Sequence, residues 1–381
     1  MKIGVDVQSI LSGNKTGIGF YQTEIMNALF DTDRDNEYFL NFFSIRNTER
    51  KKERIQELFK DRGNVRVCNW VSYGIVKKLW YFLPVPYKLF FGKKVDVSLF
   101  FNYFVPPFAN GKSISVIYDT VVNDMPETMG GKTRFALKHT LKKSIKRAEK
   151  IITISQFSKE RIMCNYGVSE EKIAVVPCGF RSDVFNGNYD SEKTEQVKRK
   201  YNIDGEYLLY LGTLEPRKNI ERLVRAYAMV KKDLEDCPKL VLAGGNGWLY
   251  EGIFELVKAL NLEDSVIFTG YVEDKDVPLL MSGAMIFCFP SLYEGFGMPP
   301  LEAMACGTPV ITSNTSSLPE VVGDAALLVD PLSVESIALG IKKAVADKEL
   351  RAEMSAKGLI QCKKFSWEKS AELFLDVINK I

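Results

Sequence analysis

The chain has 381 residues, too many for one ordinary core and suited to two domains of roughly 150–200 residues each. Hydrophobic residues make up 46% and charged residues 26%, as in a folded soluble protein, and no run reaches the ~20 apolar residues that cross a bilayer. A net charge of +3 is too small to imply nucleic-acid binding, and seven scattered cysteines without a C-x-x-C argue against a disulfide framework or a zinc site.

Met1–Asp6 reads as a first strand and lacks the layout of a secretory signal, so a cytoplasmic protein is expected. The loop Lys15-Thr16-Gly17-Ile18-Gly19-Phe20 follows, where Gly17 and Gly19 permit a close backbone approach to a ligand. It is not the dinucleotide fingerprint, because Gln22 stands where the third glycine belongs. Strands are expected near Ile3–Val7, Tyr38–Phe43, Asn64–Cys68, Val97–Phe101, Ser113–Tyr118, Lys150–Ile154 and Ile173–Val176.

Two further segments of this half are notable. Lys77 to Lys94 mixes aromatics with lysines, and Lys132, Arg134, Lys138, Lys142, Lys143, Lys146, Arg147 and Lys150 crowd one expected helix. One reading is peripheral contact with an anionic membrane, which suits a lipid-linked acceptor on the cytoplasmic leaflet. The other is a buried aromatic segment beside a solvated helix face. His139, the only histidine, is an ordinary surface residue on this reading; one histidine builds no multi-His metal site. Tyr118-Asp119 stands at the carboxyl end of a strand, where open α/β sheets place ligands. Asp119 could orient a hydroxyl, act as a base, or simply cap the loop.

The turn-rich stretch from Pro177 to Asn188 reads as a linker. It divides a domain at 1–180 from a second at 187–365, with a helix over 366–381 packing back on the first. The second domain has strands near Tyr207–Leu211, Lys239–Ala243, Val266–Thr269, Met285–Phe289, Thr308–Thr312 and Ala326–Val329, with helices such as Ile220–Lys232 and Ile253–Leu260 between them. The alternation gives two doubly wound α/β domains facing each other across a cleft.

Two constellations lie in this half. In Leu211-Gly212-Thr213-Leu214-Glu215-Pro216-Arg217-Lys218-Asn219, two cations precede a helix that Asn219 is expected to cap. Cations there oppose the helix dipole, and a bound diphosphate resolves the conflict. The second runs from Pro290 to Ile311 and reads strand, glycine-rich loop, helix, turn, strand. Gly295 and Gly297 admit a bound group, Pro299 suits the first helical position, and the free amides of the helix start face an anion. Glu302, one turn on, suits a ribose diol; Glu294 is placed to meet a second sugar.

These residues resemble the retaining GT-B glycosyltransferases of family GT4 (group 1), over nearly the whole length and most strongly over 207–330. The family's E-x7-E signature appears as Glu294 and Glu302, and its Arg-Lys pair as Arg217 and Lys218, in a G-T-x-E-P-R-K-N string typical of mannosyl- and rhamnosyltransferase-like members. Gly17-Ile18-Gly19, Gly270-Tyr271-Val272 and Ile154-Ser155-Gln156-Phe157-Ser158-Lys159 match further family segments. The resemblance implies a GT-B fold of two Rossmann-like domains. Arg217 and Lys218 bind the donor diphosphate, Glu302 the ribose, and Glu294 with the amides of Gly295, Phe296, Gly297 and Met298 the donor sugar and phosphate. Tyr271 and Val272 meet the nucleobase, and Gly212 and Leu301 complete the donor set. Configuration is retained by front-face attack, with no metal and no cofactor beyond the nucleotide-sugar donor. Asp119 joins the catalytic set. Tyr118 stands where many relatives carry histidine, and it keeps a hydroxyl for the donor sugar. GDP-mannose or dTDP-rhamnose is the expected donor, with UDP-sugars open, and a glycan or lipid-linked acceptor is the partner. The alternatives are a sugar-nucleotide epimerase on the same fold or a non-catalytic nucleotide-sugar-binding protein.

Overall fold

A computed structural model describes residues 1–11, 17–92 and 94–381. The chain divides into two compact units, Met1–Gly179 with Trp367–Ile381, and Phe180–Ser366.

In the first unit seven strands form one sheet: β1 (Lys2–Asp6), β2 (Glu37–Phe43), β3 (Asn64–Cys68), β4 (Val97–Phe100), β5 (Lys112–Val116), β6 (Lys150–Thr153) and β7 (Ile173–Val175). Their order is β3-β2-β1-β4-β5-β6-β7, and every pairing is parallel. The second unit holds β8 (Tyr207–Leu211), β9 (Lys239–Ala243), β10 (Val266–Gly270), β11 (Ile286–Phe289), β12 (Val310–Ser313) and β13 (Ala326–Val329), in the order β10-β9-β8-β11-β12-β13. These strands are also parallel throughout. Each expected strand meets an observed one, with ends that differ by at most two residues.

Both orders are those of a doubly wound fold, so each sheet reverses direction between its first and fourth strands. Helices on both faces of such a sheet require central strands that are apolar throughout. β11 (Ile-Phe-Cys-Phe) meets this requirement, and β4 (Val-Ser-Leu-Phe) departs from it only at Ser98, whose hydroxyl donates to the Asn110 carbonyl; both are buried along their whole length. The helix Ile220–Asp233 buries Ile220, Leu223, Val224, Tyr227 and Val230, the stripe of a 3.6-residue period, and ends on Lys231 and Lys232 where cations favour the dipole.

The last helix, Trp367–Asn379, packs on the helix Gly17–Thr32 of the first unit. Its buried residues Trp367, Ala371, Phe374 and Ile378 share one face. The Trp367 ring lies 5.5 Å from Tyr21, and Phe374 stacks on Phe101 at 5.8 Å. Truncating a fully buried phenylalanine such as Phe374 costs about 3–5 kcal/mol.

Three local expectations need correction. Gly17-Ile18-Gly19 is not a loop: it opens the helix Gly17–Thr32, while Lys15 and Thr16 lie outside the described residues. Pro299 is the second residue of its helix, which starts at Met298. Asn219 does precede the helix Ile220–Asp233, yet its side chain makes no cap bond.

Candidate active site

The loops carrying the two constellations leave the sheet at neighbouring places. Gly212 to Asn219 follows β8, Pro290 to Gly297 follows β11, and β8 and β11 are the strands flanking the reversal. Both leave from carboxyl ends, where the doubly wound topology opens a crevice.

The side chains meet there. Arg217 Nη1 donates to the Tyr293 carbonyl at 2.7 Å and to Glu294 Oε2 at 2.9 Å, while its Nη2 donates to Glu215 Oε1 at 2.6 Å. Lys218 Nζ donates to Glu294 Oε1 at 2.6 Å and sits 4.9 Å from the centre of the Phe289 ring. Two cations therefore face two carboxylates. The expectation that the helix dipole leaves these cations awaiting a diphosphate is incomplete, because Glu294 and Glu215 already pair with them. Glu215 was quoted in the motif without a role; its burial (5% exposed) beside Arg217 supplies one.

The environment sets the charge state. Burial pushes the Glu294 carboxyl up, but the Arg217 and Lys218 charges and the hydrogen bond from Lys218 outweigh it and hold it at about 2. Burial likewise lowers the Lys218 ammonium from its ordinary value, against the pull of Glu294. An unpaired charge here would be costly, so the pairing is a condition of folding these loops together.

Backbone contacts fix the Glu294 loop. Its N–H donates to Ser316 Oγ, and Ser317 Oγ donates to the carbonyls of Glu294 and Phe296 at 2.9 and 2.6 Å. These two serines carry no motif signal in the sequence. Asn219 adopts a left-handed backbone (φ 63°), and its amide donates to the carbonyls of Pro290 and Pro331 at 2.9 and 2.7 Å. It ties the loop after β8 to the loop after β11, a role that replaces capping.

Gly297 precedes the helix Met298–Ala305 with φ 124°, and a Cβ on it would lie 2.8 Å from Leu318 Cδ2. No side chain caps this helix. Leu301 is fully buried, and its N–H donates to the Gly297 carbonyl. Glu302 has a different charge balance from Glu294. Burial pushes its carboxyl up to about 8, only partly offset by Arg181, so it is largely protonated near neutral pH.

Gly212 adjoins the same loop, and Gly244 after β9 is its unforeseen partner: a Cβ on Gly244 would fall 1.9 Å from the Gly212 carbonyl oxygen. Tyr271 and Val272 follow β10 at the sheet edge. Tyr271 is 66% exposed, with its hydroxyl on Asp274, and Val272 is buried.

Gly17, Gly19, Tyr118 and Asp119 belong to the other unit. Asp119 Oδ1 accepts from the Val121 N–H and is half-buried, the geometry of a loop cap. Tyr118 lies under Tyr21 and Tyr103, at ring distances of 5.3 and 5.5 Å, and its buried hydroxyl has no hydrogen-bond partner among the described residues. His139 is exposed and bonds the Phe135 carbonyl of its own helix, as an ordinary surface residue does.

Comparison with known proteins agrees with this architecture. Residues 191–360 match the family model for glycosyl transferases group 1, and residues 49–184 that for Glycosyltransferase Family 4. O-antigen chain mannosyltransferase B of Escherichia coli is 35% identical over 268 residues, which cover 70% of this chain and 70% of that protein. The serotype-specific mannosyltransferase WbdA of Escherichia coli is 34% identical over 237 residues, 62% of this chain but 29% of WbdA. The crystal structure of Anabaena Alr3699/HepE in complex with UDP and glucose superposes with a TM-score of 0.74 and 18% identity, over 100% of both chains. These neighbours share the GT-B fold of two Rossmann-like units, and they lend the epimerase alternative no support. The chain belongs to the group 1 glycosyl transferases, Glycosyltransferase Family 4.

Proposed function

We propose that the protein transfers a mannosyl residue from GDP-mannose, with dTDP-rhamnose the second candidate donor, to a glycan or lipid-linked acceptor during assembly of a surface polysaccharide or glycolipid. The observation that carries this reading is the pairing of Arg217 and Lys218 around Glu294 at the sheet reversal, beside the uncapped start of the helix Met298–Ala305. Two mannosyltransferases among the relatives support the choice of sugar.

The chemistry follows from the charges. The bond between the anomeric carbon and the diphosphate oxygen breaks, and negative charge develops on the departing phosphate. Arg217, Lys218 and the amides of Gly297 and Met298 are preorganised donors for that charge, worth several kcal/mol in a site from which water is excluded. Glu294, freed from one of its cations, then accepts from hydroxyls of the donor sugar. The ribose diol meets Glu302 and draws it towards its ionised form. The acceptor oxygen bonds to the anomeric carbon on the face the diphosphate leaves, which retains the anomeric configuration, and the leaving diphosphate takes that hydroxyl's proton. The positive charge comes from side chains, so the reaction needs no metal and no cofactor. Under this reading the acceptor is met at the cytoplasmic face of a membrane. Among the described residues no helix is long and apolar enough to cross one.

The test is release of GDP from GDP-mannose by the purified chain, with and without a mannose-terminated acceptor, in EDTA, with the product's anomeric configuration read by NMR. No turnover of any nucleotide sugar would leave the non-catalytic alternative standing.

A further inference from the structure

The first sheet reverses between β1 and β4, and the last residue of β1 is an acid, Asp6. Strand register sets its neighbours. Asp6 stands opposite Phe100 of β4 and Asn41 of β2, so the three share one face of the sheet. Phe43, two residues after Asn41, shares that face too. Two tyrosines roof the row: Tyr87 lies against Phe100 at a ring distance of 5.5 Å, and Tyr73 against Phe43 at 5.8 Å. Burial first, and the Asp6 charge next, raise both phenols above their ordinary value, so Asp6 sits near both hydroxyls.

The turn after β1 holds the carboxyl in place. Asp6 Oδ1 accepts from the Gln8 N–H at 3.0 Å, and the buried Gln22 donates to the Asp6 carbonyl at 2.6 Å. Gln22, which displaces the third glycine of the dinucleotide fingerprint, has this bond as its own task. Asp6 Oδ2 has no hydrogen-bond partner among the described residues, and no cation pairs with it there. The nearby cations are engaged with rings: Lys77 lies 5.8 Å from the Tyr73 ring centre, and Arg66 3.4 Å from that of Phe39. Burial without a counter-charge pushes the Asp6 carboxyl up to about 6, against the pull of the Gln8 N–H.

Beside Asp6 the Tyr87 hydroxyl and Asn41 Oδ1, in residues 1% and 4% exposed, have no partner among the described residues. The Tyr73 hydroxyl, in a half-buried residue, has none among them either. Such atoms are rare in a folded chain unless another group comes to them. Unspent donors and acceptors around one carboxylate suit a polyol, whose hydroxyls do both; the carboxylate repels a phosphate. We propose that Asp6 binds a sugar, the acceptor: Oδ2 takes one hydroxyl of that sugar, and the Tyr73 hydroxyl bonds to a neighbouring one. Calling the sugar the acceptor rests on the glycosyl-transfer reading above; the sugar site itself does not.

Asp6→Asn tests this, because asparagine keeps the bond to the Gln8 N–H and removes only the charge. Methyl glycosides of mannose, glucose, galactose and N-acetylglucosamine are titrated against the full chain, without donor, by saturation-transfer NMR. At least one is expected to bind, and Asp6→Asn to weaken it at least about tenfold, as loss of a charge-assisted hydrogen bond does. Wild-type binding is expected to fall as pH drops through about 6, where Asp6 takes up a proton, and Asp6→Asn to stay level. Tyr73→Phe keeps the ring and is expected to weaken the glycoside by about threefold or more, which decides the matter if a thermal melt shows that Asp6→Asn does not fold. Both variants are expected to hold GDP within about twofold of wild type. No bound glycoside, equal binding in the variants, or an equal loss of GDP affinity overturns the proposal. GDP release from GDP-mannose then separates the two readings. A larger fall in kcat/KM for the glycoside than for donor hydrolysis in Asp6→Asn makes the sugar the acceptor; a wild type without any turnover sinks the transfer reading and leaves the sugar site standing.

Discussion

Lys218 Nζ lies 2.6 Å from Glu294 Oε1, and the second oxygen of the same carboxylate holds Arg217 at 2.9 Å. On the proposed reading, a donor diphosphate has to take two cations that an internal carboxylate already occupies. Arg217→Ala, Lys218→Ala and Glu294→Ala should each lower transfer by ~100-fold or more, as losses of transition-state contacts do. Their effects on GDP binding should differ in sign. Removing either cation weakens GDP, whereas Glu294→Ala removes the competing carboxylate and tightens it by about tenfold. Calorimetric titration with GDP, run beside the transfer assay, checks this. Weaker GDP binding in all three variants would show that Glu294 positions the cations and does not compete for them.

Two carboxylates of the same site carry opposite pH dependences. Glu302 is raised from 4.5 to about 8, so the folded chain holds a proton that the unfolded chain releases. Its contribution to stability is present below about pH 4.5 and is lost as pH rises towards 8. Glu294 is lowered from 4.5 to about 2, so its contribution is present above 4.5 and is lost as pH falls towards 2. Glu302→Gln should therefore flatten the fall in Tm between pH 5 and 8, and Glu294→Gln the fall below pH 4.5, in melts across that range. If Glu302 ionises when it meets a ribose, GDP binding near pH 7 releases a proton in the wild type and none in Glu302→Gln. Buffers of different ionisation enthalpy read that proton directly.

The sequence reading and the structure agree where short-range pattern governs. Tyr207–Leu211 and Ile286–Phe289 are uninterrupted apolar runs, and the strand order follows from their alternation with helices. Arg217, Lys218 and Glu294 were legible because motif residues at the carboxyl ends of strands converge wherever those strands are neighbours. What they do to one another was not. The pairing of Glu294 with both cations spans more than seventy residues, and no spacing rule encodes it. Glu302 shows the same limit. Its place one turn into a helix is a sequence property, but its raised pKa comes from burial by the surrounding chain. Gly17-Ile18-Gly19 opens a helix where a loop was expected, for a local reason: a helix start tolerates glycine as readily as a turn does.

Asn219 joins the two site loops through a left-handed backbone and two side-chain bonds, at 4% exposure. Asn219→Ala leaves two buried carbonyls short of a donor and keeps the strained φ, so it should cost about 2–4 kcal/mol. Asn219→Gly removes the strain and should cost roughly 1 kcal/mol less than alanine. Urea unfolding of both variants checks the order. Equal losses would mean the backbone conformation contributes nothing beyond the bonds.

Gly297→Ala meets two obstacles, a φ of 124° and Leu318 Cδ2 at 2.8 Å from the new Cβ. Shifting either the loop or Leu318 moves the amides at the helix start, so transfer should fall by about tenfold or more. Adding Leu318→Ala clears the space and leaves the φ penalty. The double variant should thus recover only part of the activity, measured as kcat/KM for the donor. Full recovery would assign the whole defect to the clash.

Tyr118 is the residue on which sequence and structure diverge most. The resemblance places a hydroxyl there for the donor sugar, yet that hydroxyl is buried beneath Tyr21 and Tyr103 without a partner among the described residues. Burial also drives the phenol far above its ordinary pKa, so it neither ionises nor acts as a base near neutral pH. A buried, unsatisfied hydroxyl costs about 1–3 kcal/mol, and phenylalanine removes it with no change in ring packing. Tyr118→Phe should raise Tm by about 3 °C and leave transfer within about twofold of wild type. Tyr118→His, the residue that the resemblance leads one to expect there, puts a smaller polar ring in the same apolar pocket and should lower Tm. Loss of transfer in Tyr118→Phe with unchanged Tm would mean that the ring turns outward during catalysis, and that the hydroxyl reaches the sugar after all.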